Sequence, residues 1–380
     1  MLELSGGRVL LADGPERVAS VGIDRGVFAG IDRPRDGRRR WDASGLYVLP
    51  GIVDLHGDAF ERQLQPRPGV NFPAPLALRD TEAQLLANGI TTALLAVTLS
   101  WEPGLRSPER WREIIEALEA ARPNSVSDMR VHMRWEMHNL PSLDRALADV
   151  AAGRVGLVSF TDHTPAIVSK MAQPGTAAKY SERAGLTVAA FRELAEAAEA
   201  HGPMAGEAST RLADAARRHG VPMASHDDDT VDVRDHYRAL GARICEFPMA
   251  EAVGIAARAA GDAVVMGCPN VVRGGSHLGW ASAAALAERD ICTVLCSDYY
   301  YPAMLPAAWF LAGRIGLQRA WSLIAQNPAA AAGLGDRGSI AEGKRADVVI
   351  VDPDGPRVVA TIAAGRIGFM SGAGWRRFDG

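Results

Sequence analysis

Apolar and polar positions fall into two regimes along the chain. Through the middle, roughly residues 48–335, short apolar runs alternate with amphipathic segments of helical spacing. Short continuous apolar runs bounded by turn residues are how strands buried on both faces read. Eight such runs predict strands at Tyr47–His56, Gly89–Val97, Arg130–His138, Val155–His163, Val221–His226, Ala242–Phe247, Ala263–Cys268 and Thr293–Asp298. Helices are expected between them. In Ser107–Ala121, Ser107 suits the cap, Pro108 suits the first turn, and Trp111, Ile114, Ile115 and Leu118 make one apolar face. Eight alternations predict an α/β fold, a (β/α)8 TIM-type barrel. A doubly wound open sheet is the rival, but no Gly-x-Gly-x-x-Gly follows an early strand.

Residues 1–47 and 336–380 have another texture. Short β-rich runs such as Val18–Ile23, Ala346–Val351 and Val358–Ile362 are broken by Gly6-Gly7, Asp36-Gly37, Glu342-Gly343 and Asp354-Gly355. Neither end is long enough to bury a core alone. Together they predict a small β-sandwich domain built from both termini around a barrel at 48–335.

Composition narrows the partners. Of 380 residues, 48% are apolar and 23% charged, which allows a sizeable core, and the net charge of -4 offers no basic surface for nucleic acid. No run approaches the ~18–20 apolar residues of a membrane span, and the N-terminus lacks the pattern of a signal peptide. Cys245, Cys268, Cys292 and Cys296 form no Cys-x-x-Cys pair and sit in apolar runs, as buried free thiols do. The expectation is a cytoplasmic protein without nucleic-acid or membrane partners, compatible with a homo-oligomer.

The candidate chemistry lies at the C-terminal ends of the expected strands, where barrel active sites form. His56, Asp58, Glu136, His163, His226 and Asp298 offer three imidazoles and three carboxylates. Mixed N/O donors suit zinc, with manganese or iron as substitutes, and a set this large points to two divalent metal ions bridged by Glu136. A carboxylated lysine is a poor bridge here, because the three lysines, Lys170, Lys179 and Lys344, all lie away from strand ends. The blander readings are core histidines, a Glu136–Arg134 ion pair, and a helix cap within Asp227-Asp228-Asp229. His138 could serve the site or only support it, while His132, His201, His219 and His236 read as structural or surface residues.

A second group suits anions. After the seventh strand, Arg273, Gly274, Gly275, Ser276 and His277 combine a guanidinium fork with a turn whose N–H groups can approach phosphate. Arg67 stands in Pro66-Arg67-Pro68 beyond the first strand. The connection 164–220 is too long for a simple link and is expected to cover the site, with Lys170 and Lys179 helping to hold phosphates.

Val48-Leu49-Pro50-Gly51-Ile52-Val53-Asp54-Leu55-His56 resembles the first-strand motif of the amidohydrolase superfamily, and Gly338 to Asp347 resembles its C-terminal β motif. More narrowly, several pieces resemble the α-D-ribose 1-methylphosphonate 5-triphosphate diphosphatases of phosphonate breakdown. They are His56-x-Asp58, Pro66-Arg67-Pro68, Asp162-His163, Ser225-His226-Asp227-Asp228, Glu246-Phe247-Pro248, Pro269 to His277 and Ser297-Asp298-Tyr299-Tyr300. Gly57 and Ala59 to Arg62 depart from that pattern. The resemblance implies a metal-dependent hydrolase of a small phosphorylated molecule, a ribose 5-triphosphate, releasing pyrophosphate and leaving a 5-phosphate. Asp298 would be its catalytic base. The competing readings are a deacetylase or cyclic-amide hydrolase on the same barrel, and a metal-containing binding protein without catalysis.

Overall fold

The computed structural model describes residues 1–12, 14–33, 39–275 and 281–377. Eight parallel strands pair in chain order: Ile52–Gly57, Ile90–Leu99, Asp128–Glu136, Val155–Thr161, Met223–His226, Ile244–Glu246, Ala263–Gly267 and Val294–Cys296. All eight expected strands are present. The ring closes where Asp298 follows the eighth strand: its N–H donates to the His56 carbonyl at 2.9 Å, and the Asp58 N–H donates to the Asp298 carbonyl at 2.9 Å. The fold is therefore an α/β barrel.

The barrel's two faces separate by the period-two rule. Leu94, Leu157, Ala224, Ile244, Val265 and Val294 meet inside, while Leu95, Val97, Met133, Trp135, Val158 and Phe160 face the helices. Two residues beyond the inner apolar layer, toward the C-terminal end, stand Ser159, His226 and Glu246. The polar groups that face the barrel mouth thus stand near the strand ends, beyond the apolar layer. The expected helix forms over Pro108–Ala121, with the Ser107 hydroxyl accepting from the Arg110 N–H and Trp111, Ile114, Ile115 and Leu118 buried.

The strands of both termini form one branched sheet. Leu2–Val9 pairs with Arg17–Asp24 on one side, and with Arg39–Asp42 and Tyr47–Pro50 on the other. Val348–Asp352 joins Tyr47–Pro50 and continues through Arg357–Ala363 to Arg366–Met370. Leu4, Val21, Trp41, Val48, Val348 and Ile362 share its core. The expected strand Tyr47–His56 is divided at Gly51, whose first half belongs to this sheet and second half to the barrel. A Cβ at Gly51 would stand 2.4 Å from the Thr91 hydroxyl, so only glycine lets the chain cross between layers there. Arg337 ties the C-terminal segment to the barrel floor, donating to Thr92 at 2.9 Å and to Asp128 at 2.6 Å.

The connection 164–220 is helical: Thr164–Lys170, Pro174–Ala184, Val188–Glu199 and Gly202–Arg218. Ile167, Met171, Ala177 and Phe191 give it an apolar cluster of its own, packed on Trp101. Among the described residues no helix is long and apolar enough to cross a membrane.

Candidate active site

A cavity of about 220 Å³ opens at the C-terminal mouth of the barrel, and His56, Asp58, His226 and Asp298 all line it. Glu246, fully buried on the sixth strand, organises its floor. One of its carboxylate oxygens lies 3.1 Å from His56 Nδ1, and the other accepts from the Ser159 hydroxyl at 2.9 Å and lies 3.5 Å from His132 Nε2. A carboxylate on one ring nitrogen fixes the tautomer and leaves Nε2 of His56 as the ligating lone pair. His226 repeats the arrangement with Asp227, whose carboxylate lies 3.1 Å from its Nδ1. That nitrogen is buried without a hydrogen-bond partner of good geometry.

Two donor sets emerge, sharing His226. Ligand atoms of His56, His226 and Glu246 lie within 4.8 Å of one another, as do those of His163, His226 and Asp227. Burial drives the His56 imidazole down to about 3 and that of His226 down to about 4. Both are then neutral near pH 7, the state that binds metal. Burial alone would raise the Asp227 carboxyl, but His226 and His163 beside it hold it well below the usual range. For Asp298, burial and then the Asp58 carboxylate push the pKa up to about 7. A nearby cation would reverse that shift.

Three residues just beyond strand ends hold left-handed backbone: Asp227 at φ 60, Phe247 at φ 53 and Asp298 at φ 54. Such a conformation in a non-glycine residue costs roughly 1–3 kcal/mol and persists where surrounding structure imposes it. Here the surroundings are specific. Asp54 accepts from Ser297 through both backbone and hydroxyl, at 2.9 and 2.6 Å, which fixes the turn before Asp298. Buried Arg234 donates to Ser225, Asp228 and the Ile244 carbonyl, tying together the strands that carry His226 and Glu246.

The remaining expected residues are placed less centrally. Glu136 accepts from the Thr164 hydroxyl at 2.7 Å and from the backbone N–H groups of His163 and Thr164, and lies 3.9 Å from His163 Nδ1. It anchors the turn that carries His163. The ring nitrogens of His138 face Asp162 and the Ala198 carbonyl, at the root of the helical segment 164–220. Arg273 and Gly275 line the cavity, and Arg273 donates to the Tyr299 hydroxyl at 3.4 Å. Gly274 takes φ 78 in the same turn. Ser276 and His277 lie outside the described residues. Arg67, Lys170 and Lys179 are exposed and are not among the residues lining the cavity.

Sequence reasoning reaches Glu246 only within Glu246-Phe247-Pro248, without a role, and reads Asp227 within a run that could cap a helix. Thr230 supplies that cap instead. Nothing in local spacing marks His132 or Ser159, which reach the site only through barrel closure.

Residues 47–368 match the amidohydrolase family. The chain belongs to that family. It is 35% identical over 317 residues to the alpha-D-ribose 1-methylphosphonate 5-triphosphate diphosphatase of Escherichia coli (strain K12), covering 81% of this chain and 84% of that one. Solved structures share the fold at lower identity. The 5-methylcytosine deaminase of Klebsiella pneumoniae aligns with TM-score 0.63 at 15% identity over 97% of each chain. The N-acetylglucosamine-6-phosphate deacetylase of Pasteurella multocida aligns with TM-score 0.65 at 12% identity over 96% of this chain and 99% of that one.

Proposed function

We propose that this hydrolase acts on a ribose 5-triphosphate bearing a phosphonate at C1, releasing pyrophosphate and leaving the 5-phosphate. One observation carries the reading: Arg273 and Gly275 line the same cavity as His56, Asp58, His226 and Asp298. An amide hydrolase needs the donor cluster but gains from anion-binding groups beside it only when its substrate also carries a phosphate. The identity to the Escherichia coli diphosphatase supports the same choice.

The donors fit divalent cations in type, neutrality and spacing. His56, His226 and His163, with Asp58 and Asp298 at the rim, would hold two metal ions, zinc first and manganese or iron as substitutes, while Glu246 and Asp227 orient the imidazoles of His56 and His226. Bound there, the metals would lower the pKa of a water and polarise a phosphoryl oxygen. The protein's own groups do the rest. Asp298 orients the attacking water and takes its proton. The water oxygen bonds to the α-phosphorus while the bond to the α,β-bridging oxygen breaks, and the electron pair leaves with pyrophosphate. Arg273 and neighbouring N–H groups bind the departing charge.

A product panel tests the reading. Metal-loaded protein should release pyrophosphate from ribose 5-triphosphates and neither ammonia nor acetate from cyclic amides and N-acetyl sugars. Ammonia or acetate release without pyrophosphate would overturn it in favour of C–N hydrolysis.

A further inference from the structure

Arg134 occupies the inner face of the third strand, two residues from Glu136. The sequence suggests it as a partner for that acid, yet Glu136 is engaged by Thr164 and His163. The guanidinium turns into the cavity instead and lines it. Only 6% of the residue is exposed. Its Nη2 lies 3.3 Å from His226 Nε2, its Nη1 lies 3.7 Å from an Asp58 oxygen, and its Nε has no hydrogen-bond partner among the described residues. A buried guanidinium with a neutral imidazole, one distant carboxylate and an idle donor is under-compensated, and burying charge that way is costly.

We propose that Arg134 is a catalytic residue that holds a non-bridging oxygen of the reacting α-phosphoryl group and restricts the site to anionic electrophiles. The inference rests on the phosphoanhydride reading above and adds a residue to it. The charge balance of the cavity points the same way. Its lining holds the carboxylates of Asp58, Asp227 and Asp298 and the guanidiniums of Arg134 and Arg273. Two divalent cations more than offset these three carboxylates, so both guanidiniums remain as excess positive charge. A polyanion neutralises them, whereas an amide or an N-acetyl group does not. The lone pair of His226 that now faces Arg134 is also a metal-ligating one, so a loaded site frees the guanidinium for a new acceptor. Phosphoryl oxygens carry charge throughout the transfer, and a planar fork matches two of them. Arg134 makes and breaks only hydrogen bonds. The covalent change remains the one already stated, with water's oxygen gained at phosphorus, pyrophosphate lost and a proton passed to Asp298.

The test compares Arg134→Met and Arg134→Lys with the parent protein, all metal-loaded. Four quantities are read: metal per chain, melting temperature, inorganic phosphate binding by calorimetry, and kcat and KM for pyrophosphate release. The proposal expects metal content retained in both variants, with phosphate affinity reduced at least tenfold in the Met variant. It expects kcat to fall roughly 10²–10³-fold, as when one oxyanion donor is removed, with the Lys variant recovering only part because it keeps the charge and loses the fork. Phosphate affinity and kcat within threefold of the parent, at normal metal content, would overturn it. If the Met variant sheds metal or fails to fold, the Lys variant decides. Loss of its turnover only in proportion to lost metal makes Arg134 structural and ends the proposal. A parent protein that releases no pyrophosphate defeats the diphosphatase reading. Phosphate binding lost with Arg134 would, even then, show the anion site separately.

Discussion

Replacing Glu246 by Gln keeps its size and removes its charge in a fully buried place. The carboxylate serves His56 Nδ1 with one oxygen and Ser159 with the other. A glutamine offers one acceptor oxygen and one amide NH2 in those two positions. If the oxygen faces His56, the NH2 meets the Ser159 hydroxyl, which can rotate to accept. The His56 tautomer then survives, but the imidazole loses a charged partner. If the NH2 faces His56, the ring must flip its proton to Nε2 and loses the lone pair needed for metal. Either way the metal-bound state is weakened. Outer carboxylates on ligating histidines are worth about 10–100-fold in metal affinity, or about 1.4–2.7 kcal/mol. The assay is competition against a chromophoric zinc chelator, with melting temperature followed in parallel with and without chelator. The variant should bind metal 10–100-fold more weakly, while its metal-free melting temperature stays close to the parent's. Unchanged metal affinity would refute the reasoning that Glu246 prepares His56. A collapse of the metal-free fold would show that the carboxylate matters to the barrel rather than to the metal.

Other outcomes follow from the same geometry. Asp298→Asn should cut turnover about 10²–10⁴-fold with metal and melting temperature largely retained, as expected when a general base is lost; near-normal turnover per folded molecule would remove Asp298 from the chemistry. Arg273→Ala should weaken triphosphate binding by roughly 1.5–3 kcal/mol without changing metal content, checked by substrate titration and elemental analysis. Arg337→Met should cost about 2–3 kcal/mol in denaturant unfolding, below the usual loss for breaking a buried pair because Arg130 still serves Asp128 at 3.0 Å. Burial would raise the Asp128 carboxyl, but Arg130 and Arg337 outweigh it and the folded pKa is lowered. Its stabilisation is therefore present above the unfolded pKa of about 4 and is lost as pH falls below that value. The Arg337→Met protein should show a shallower loss of stability over that acid range.

The barrel was legible because its strands are buried on both faces and so read as largely apolar runs, most of them ending in a polar residue. Ile90–Leu99 is buried at every position. The division at Gly51 was not legible, since Tyr47–Pro50 and Ile52–Gly57 form one apolar run and only the crowding by Thr91 separates them. The imidazoles at strand ends announced themselves by position. Arg134 did not, because sequence places it beside Glu136 on the same face, and only the Thr164 hydroxyl and the N–H groups of His163 and Thr164 draw that carboxylate away from it. The long 164–220 connection suggests Lys170 and Lys179 as phosphate ligands, and both stand exposed on its helices, away from the residues that line the cavity. Spacing along a chain cannot report which face of a helical insertion meets the barrel mouth.

Hydrolysis in water enriched in oxygen-18 tests the central claim most directly, namely that water attacks the α-phosphorus of a 5-triphosphate held at this site. Metal-loaded protein and a ribose 5-triphosphate bearing a C1 phosphonate should yield pyrophosphate free of label and a 5-phosphate carrying one labelled oxygen. Label in the pyrophosphate, stepwise release of single phosphates, or an untouched triphosphate would contradict it.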